Sequence, residues 1–190
     1  MERETKSPEK PITIEQVLMD FPIKNEKKWF ALYTRSRAEK KAKQQLLDAS
    51  IDCYLPVQKT LRQWSDRKKK VERVVLPSYI FVNIEPNQTD KVFVCDHLIA
   101  FVRYEGKPAI IPDKQIEAFK RIIDSETPFE INPENFPRGS KVKVIYGSLK
   151  GVEGEIYEIA NNKKLIVRID QVGFSLSVKI SPDYLEIIPE

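Results

Sequence analysis

The stretch VVLPSYIFVNI, residues 74–84, constrains the fold more than any other part of the sequence. Tyr79, Phe81 and Asn83 alternate with Ile80, Val82 and Ile84, and both sets are largely apolar. The pattern predicts a central strand buried on both faces, behind a kink at Pro77 and Ser78. Such a strand needs helices elsewhere in the chain to cover it. The densest positive segment lies just before it, and a glycine-punctuated module begins after Phe136. A basic tip on a mixed helix-and-strand domain, followed by a second module, is the organisation this predicts.

Read in order, residues 1–26 carry Pro8, Pro11 and Pro22 among charged residues, so one continuous element is disfavoured. Ile14, Val17, Leu18 and Phe21 recur at helical spacing, which leaves either a short docked helix or a disordered arm. A first strand is expected over 29–33. Ser36 has the chemistry of an N-cap, with Glu39 three residues on to reach back to it. Ala38, Ala42, Leu46 and Ala49 then give a helix with a small apolar face, while Arg37, Lys40, Lys41 and Gln44 point to water. A short strand over 53–57 precedes KTLRQWSDRKKKVER at 59–73, which reads as a protruding hairpin or loop. Residues 89–97 fit a helix or a strand. Pro112 and Asp113 open a second helix with Ile116, Phe119 and Ile123 on its buried face, ending near Ser125. The proline-rich segment 126–137 reads as a linker. From Gly139 onward five short strands are expected, over 141–145, 154–159, 165–169, 174–180 and 184–188. Five short strands in about fifty residues suggest a small closed barrel.

Charge is distributed unevenly. Residues 27–73 hold 14 Lys and Arg against 5 Asp and Glu, whereas 112–137 hold 3 against 6. A polyanionic partner is therefore expected for the first half. The 59–73 segment is either a solubilising turn or a nucleic-acid contact, since lysine and arginine at a tip can neutralise phosphates without tight geometry. Trp64 within it could stack on an unstacked base or anchor a local core. The glycines at 147, 151 and 154 lack the spacing of a phosphate-binding loop. His97 is the only histidine, and no H-E-x-x-H or repeated carboxylate pattern occurs, so no enzymatic role, metal or cofactor is expected. Cys53 and Cys95 read as buried thiols rather than a disulfide. The start of the sequence is charged and no run reaches bilayer length, so a cytoplasmic, monomeric protein without membrane attachment is expected.

Taken together, Trp29-Phe30-Ala31-Leu32-Tyr33, the basic helix with Arg37, Glu39 and Lys40, Leu76-Pro77-Ser78-Tyr79-Ile80-Phe81-Val82 and Ile111-Pro112-Asp113 resemble the NusG family of transcription elongation factors. Gly139-Ser140-Lys141-Val142 and the run 146–155 are similar to its KOW motif. The resemblance extends from Lys27 to Ile188 and leans toward the specialised RfaH-like and UpxY-like antitermination paralogues that act on operons such as those for capsular polysaccharide. It implies an α+β NGN domain with a ferredoxin-like antiparallel sheet (27–125), a linker (126–137) and an all-β SH3-like barrel carrying the KOW motif (138–190), whereas the N-terminal extension (1–26) departs from the family pattern.

The resemblance also implies sites. Trp29, Tyr33, Leu76, Tyr79 and Phe81 would surround an apolar depression that receives the clamp helices of the largest RNA polymerase subunit. Arg62, Arg67, Lys68, Lys69, Lys70 and Arg73 would face upstream or non-template DNA. Arg35, Arg37 and Lys40 near the first helix would supply further nucleic-acid contacts. Val152, Ile156, Phe174 and Leu176 would contribute to the second domain's surface for a small-subunit ribosomal protein or Rho. The alternative reading is a ribosome-associated RNA-binding protein with a KOW domain.

Overall fold

The computed structural model describes residues 26–63, 68–125, 127–133, 139–159 and 162–189. The expected apolar stripe at 14–21, Trp64 and Arg67 of the basic segment, and residues 134–138 of the expected linker lie outside the described residues.

Alternation drives the first sheet. Strand β1 (Lys28–Thr34) pairs antiparallel with β5 (Tyr79–Ile84), placing Trp29 opposite Asn83, Ala31 opposite Phe81 and Tyr33 opposite Tyr79. The neighbours Phe30, Leu32, Ile80 and Val82 then point to the other face. β5 is an inner strand, flanked by β2 (Asp52–Tyr54) and β1, with β6 (Leu98–Phe101) and β9 (Ile110–Ile111) along the far side of β1. Two apolar faces result, and each has its own helix.

Helix α1 (Glu39–Asp48) puts Ala42 and Leu46 against Phe30, Leu32, Ile80 and Val82. Its start differs from the capping expected at Ser36. Arg37 takes a left-handed backbone (φ 59°), the helix begins after Ala38, and no side chain caps it. The buried Glu39 carboxylate instead accepts the Ser78 backbone N–H at 2.8 Å, fastening the helix to the turn before β5. A 3₁₀ helix, Pro86–Val94, occupies the segment whose pattern suited helix or strand. It buries Thr89 and Val92 and leaves Phe93 and Val94 exposed. Cys95 is buried and Cys53 half-buried, both as free thiols, and burial pushes the Cys53 thiol up to about 11.

Helix α2 (Asp113–Asp124) follows Pro112 and covers the opposite face. Ile116, Phe119, Ile122 and Ile123 join Trp29, Ala31, Leu76 and Phe81 in one cluster. Strands β3 (Val57–Gln63) and β4 (Lys68–Val74) form a separate two-stranded hairpin, closed at its base by the Val75 N–H donating to the Pro56 carbonyl at 2.8 Å. A small ribbon of β7 (Arg103–Tyr104) and β8 (Lys107–Pro108) connects β6 to β9.

The second sheet corrects the expectation of a closed SH3-like barrel. Its strands are β10 (Phe129–Pro133), β11 (Ser140–Val144), β12 (Glu153–Ile159), β13 (Asn162–Ile169), β14 (Phe174–Lys179) and β15 (Leu185–Ile187). They run in the order β10-β14-β13-β12-β11-β15, and β10 and β15 are not paired with each other. The sheet is open because its apolar face has another cover. Val142, Val144, Leu165, Val167, Leu176 and Val178 belong to the same cluster as the α2 side chains, so burial against the helix does what closure would otherwise do. β10 falls within the segment read as a linker. It takes the free edge of β14, with Phe129 and Ile131 packed on the cluster, and Glu130 reaches across β14 to Lys164 at 2.7 Å. That ammonium holds the Glu130 carboxyl below the ordinary range.

Candidate functional site

The five apolar positions expected at the partner surface divide by what covers them. Trp29, Tyr33, Tyr79 and Phe81 all lie on the α2 face, because register places 29, 31 and 33 beside 83, 81 and 79. α2 crosses only part of that row. Phe81 and Leu76 have no exposure and Trp29 has 7%, so these three are core. Tyr33 is 37% exposed and Tyr79 half-buried, and their rings stand 5.0 Å apart at the rim. Burial and the Tyr33 hydroxyl push the Tyr79 phenol up to about 12, so it is neutral at physiological pH.

Two residues that the sequence did not flag complete this face. Tyr54 stacks on Phe81 at 6.2 Å, and the Lys120 ammonium lies 4.7 Å from the centre of the Trp29 ring and 5.2 Å from that of Tyr54. The cation thus rests between two π faces, an arrangement worth about 0.5–2 kcal/mol. Nothing in the local pattern of α2 distinguishes Lys120 from a solvent-facing lysine. Only tertiary packing brings it to the rings.

The second sheet reaches the same rim. Phe174 packs edge-on against Tyr79 at 5.5 Å. Nearby, Arg121 of α2 donates to the Lys150 carbonyl at 2.7 Å, and Lys114 pairs with Glu153 at 3.4 Å. Between helix and sheet lies a cleft of about 500 Å³ lined by Gln115, Arg121, Glu153 and Arg168 among others. Of the four residues expected on the second partner surface, Val152 and Leu176 are buried, and Ile156 and Phe174 are half-buried, Phe174 against Tyr79.

The basic positions form a second region. In the β3/β4 hairpin the backbone pairs Arg62 with Lys69, Leu61 with Lys70 and Gln63 with Lys68, concentrating cationic positions toward its outer end. Arg73, near the base, is exposed, as are Arg35 and Arg37 beside α1. Lys40 is committed to an ion pair with Glu72 of β4 at 2.8 Å, which holds the Glu72 carboxyl below its ordinary value. One of the few acids near the hairpin is thereby neutralised, and α1 is tied to it. Among the described residues no group of three or more His, Cys, Asp or Glu could hold a metal ion, and no helix is long and apolar enough to cross a membrane. His97 is half-buried, and its backbone carbonyl accepts the Arg35 N–H at 2.9 Å.

The described residues thus comprise an antiparallel α+β unit with an aromatic rim and a cationic hairpin, and a sheet of six strands whose apolar face packs on α2. Residues 27–120 match the family model described as "Transcription termination factor nusG". The chain is 26% identical over 175 residues to the transcription termination/antitermination protein NusG of Rickettsia felis, covering 84% of this chain and 86% of that relative. The protein of the same name from Streptococcus pyogenes serotype M1 is 27% identical over 154 residues, covering 73% and 84%. A solved structure described as "Domain interaction in Thermotoga maritima NusG" is 22% identical, covers 86% of this chain and 98% of its own, and superposes with a TM-score of 0.46. Over residues 27–120 the chain is thus similar to the NusG family, and the relatives that span most of its length are named for transcription termination and antitermination.

Proposed function

We propose that this chain acts in the cytoplasm as an elongation and antitermination factor that grips the clamp helices of the largest RNA polymerase subunit through the Tyr33–Tyr79 rim. The observation that carries the reading is the pair of tyrosine rings 5.0 Å apart, one of them 37% exposed, at the end of a row whose other members are core. Aromatic rings with few rotamers give large contact area to a docking helix. The hairpin positions Arg62 and Lys68 to Lys70, with Arg35, Arg37 and Arg73, then run along upstream or non-template DNA, where contacts to phosphate set position. Ile156 and Phe174 contribute to a surface of the second sheet for a small-subunit ribosomal protein or Rho. The relatives found bear the name of general termination/antitermination proteins. A narrower role on polysaccharide operons therefore rests on the resemblance to specialised paralogues alone.

Binding of the full chain to a purified elongation complex across a salt series tests this. Tyr33→Ala combined with Tyr79→Ala is expected to weaken binding about tenfold to a hundredfold, with an unchanged circular dichroism spectrum. Reversal of Lys68, Lys69 and Lys70 to glutamate is expected to weaken binding and flatten its salt dependence, by a slope of about 0.9 for each phosphate no longer neutralised. Phe174 occupies the Tyr79 ring, so Phe174→Ala is expected to strengthen binding by about twofold to tenfold, the worth of one aromatic pair. Folded variants that bind as the parent does would discard the rim and the hairpin as binding surfaces. Failure of the parent itself to bind polymerase while binding ribosomal RNA would favour the ribosome-associated reading.

A further inference from the structure

The turn that enters β5 holds a backbone conformation its own residue disfavours. Ser78 stands at φ 65°, in the left-handed region that glycine fills freely and a residue with a side chain enters uncommonly. Two bonds keep it there. Its N–H donates to the Glu39 carboxylate at 2.8 Å, and its carbonyl accepts the Thr34 N–H at 2.9 Å. Glu39 is 6% exposed and Thr34 2%, so little water competes for either bond.

Both bonds sit at the roots of the rim tyrosines. Tyr79 follows Ser78, Tyr33 precedes Thr34, and the two tyrosines face each other at the end of the β1/β5 register. Leu76 on one side of the turn and Ile80 on the other have no exposure. Pro77 is exposed and Tyr79 half-buried, so a change of φ at Ser78 falls on these two. Only one of them carries a ring. Removing the Glu39 acceptor leaves the Ser78 N–H without its partner and the left-handed backbone without its hold, and relaxation toward ordinary negative φ then draws Tyr79 away from Tyr33.

We propose that Glu39 is the positioning residue of the rim: through the Ser78 amide it sets the Tyr79 ring 5.0 Å from that of Tyr33 before any partner arrives. Rings ordered in advance need not be immobilised on contact, which is worth about twofold to tenfold in affinity for each side chain. The part Glu39 plays in docking rests on the rim being the polymerase surface; its hold on the rings does not.

Nuclear Overhauser contacts between the two rings in the free full chain read the geometry directly. Glu39→Ala is expected to lose them with an unchanged circular dichroism spectrum. Glu39→Asp, which keeps the charge but draws the carboxylate back by one methylene, is expected to do the same, and Glu39→Gln, which keeps an oxygen at the same reach, to retain them. In binding to the elongation complex, Glu39→Ala is expected to weaken the parent about twofold to tenfold, and to change the variant carrying Tyr33→Ala and Tyr79→Ala by less than about twofold. Ring contacts that persist in Glu39→Ala and Glu39→Asp overturn the proposal even if stability falls, since Glu39 then only fastens the helix. So does an equal loss of binding with and without the rings, which would place the effect elsewhere on α1. A parent that does not bind polymerase removes the rim as its docking surface, and the ring contacts of the free chain still decide what Glu39 holds.

Discussion

Phe81→Ala is expected to remove about 3–5 kcal/mol from the stability of the full chain. The side chain has no exposure, sits on the inner strand β5 opposite Ala31 and Tyr54, stacks on Tyr54, and lies beneath α2. Truncation leaves a void walled by two strands and a helix that are held by their own ladders, so little collapse can fill it. Against a total of roughly 5–15 kcal/mol, typical of domains this size, the loss removes a substantial share of the stability. Urea denaturation followed by circular dichroism measures it as a lowered midpoint at constant slope. A cost below about 1 kcal/mol would mean that Phe81 is not the keystone its burial makes it. The result bears directly on function. A Phe81 variant that fails to bind polymerase reports unfolding, whereas Tyr33→Ala at the exposed rim reports contact.

That distinction marks where the sequence was legible. Alternation in 79–84 announced an inner strand and 29–33 read as a first strand, but only the register that pairs odd positions with odd puts Trp29, Tyr33, Tyr79 and Phe81 on one face. Which of the four meets a partner was not legible. An apolar side chain has the same composition whether its own helix or another protein covers it, and only the course of α2 separates Phe81 from Tyr33. The apolar face of α2 was readable at Ile116, Phe119 and Ile123. On its outer face Arg121 donates to the Lys150 carbonyl, a contact between distant segments that local sequence does not mark. The barrel expectation failed for a related reason. Short strands and glycines announce a sheet that must hide one face, but they do not say whether it closes on itself or leans on a helix. Three prolines also disguised Phe129–Pro133, although an edge strand tolerates proline because one of its ladders is empty. At Ser36, local capping chemistry yielded to a tertiary bond, because Glu39 found the Ser78 amide.

Glu155 carries the second large effect, this time in the second sheet. Its carboxylate accepts from the Gly139 backbone N–H at 3.0 Å and from Arg168 Nε at 3.3 Å, and both charged side chains are largely out of water, at 14% and 5% exposure. The interaction links the segment leading into β11 to the C-terminal end of β13. A largely buried guanidinium that loses this carboxylate keeps its desolvation cost and loses part of the attraction that offset it. Glu155→Met is therefore expected to cost on the order of 3 kcal/mol. The partner change behaves differently. In Arg168→Met the carboxylate retains the Gly139 amide and the greater access to water, so the loss should be the smaller of the two. The double variant removes both charges and substitutes packing volume, and buried pairs replaced in this way often come out near neutral. Urea denaturation of the four proteins gives the cycle, and the double variant should be more stable than Glu155→Met alone. Simple additivity of the two losses would show that the carboxylate and the guanidinium stabilise the sheet through separate neighbours, and that Glu155 acts mainly by holding Gly139.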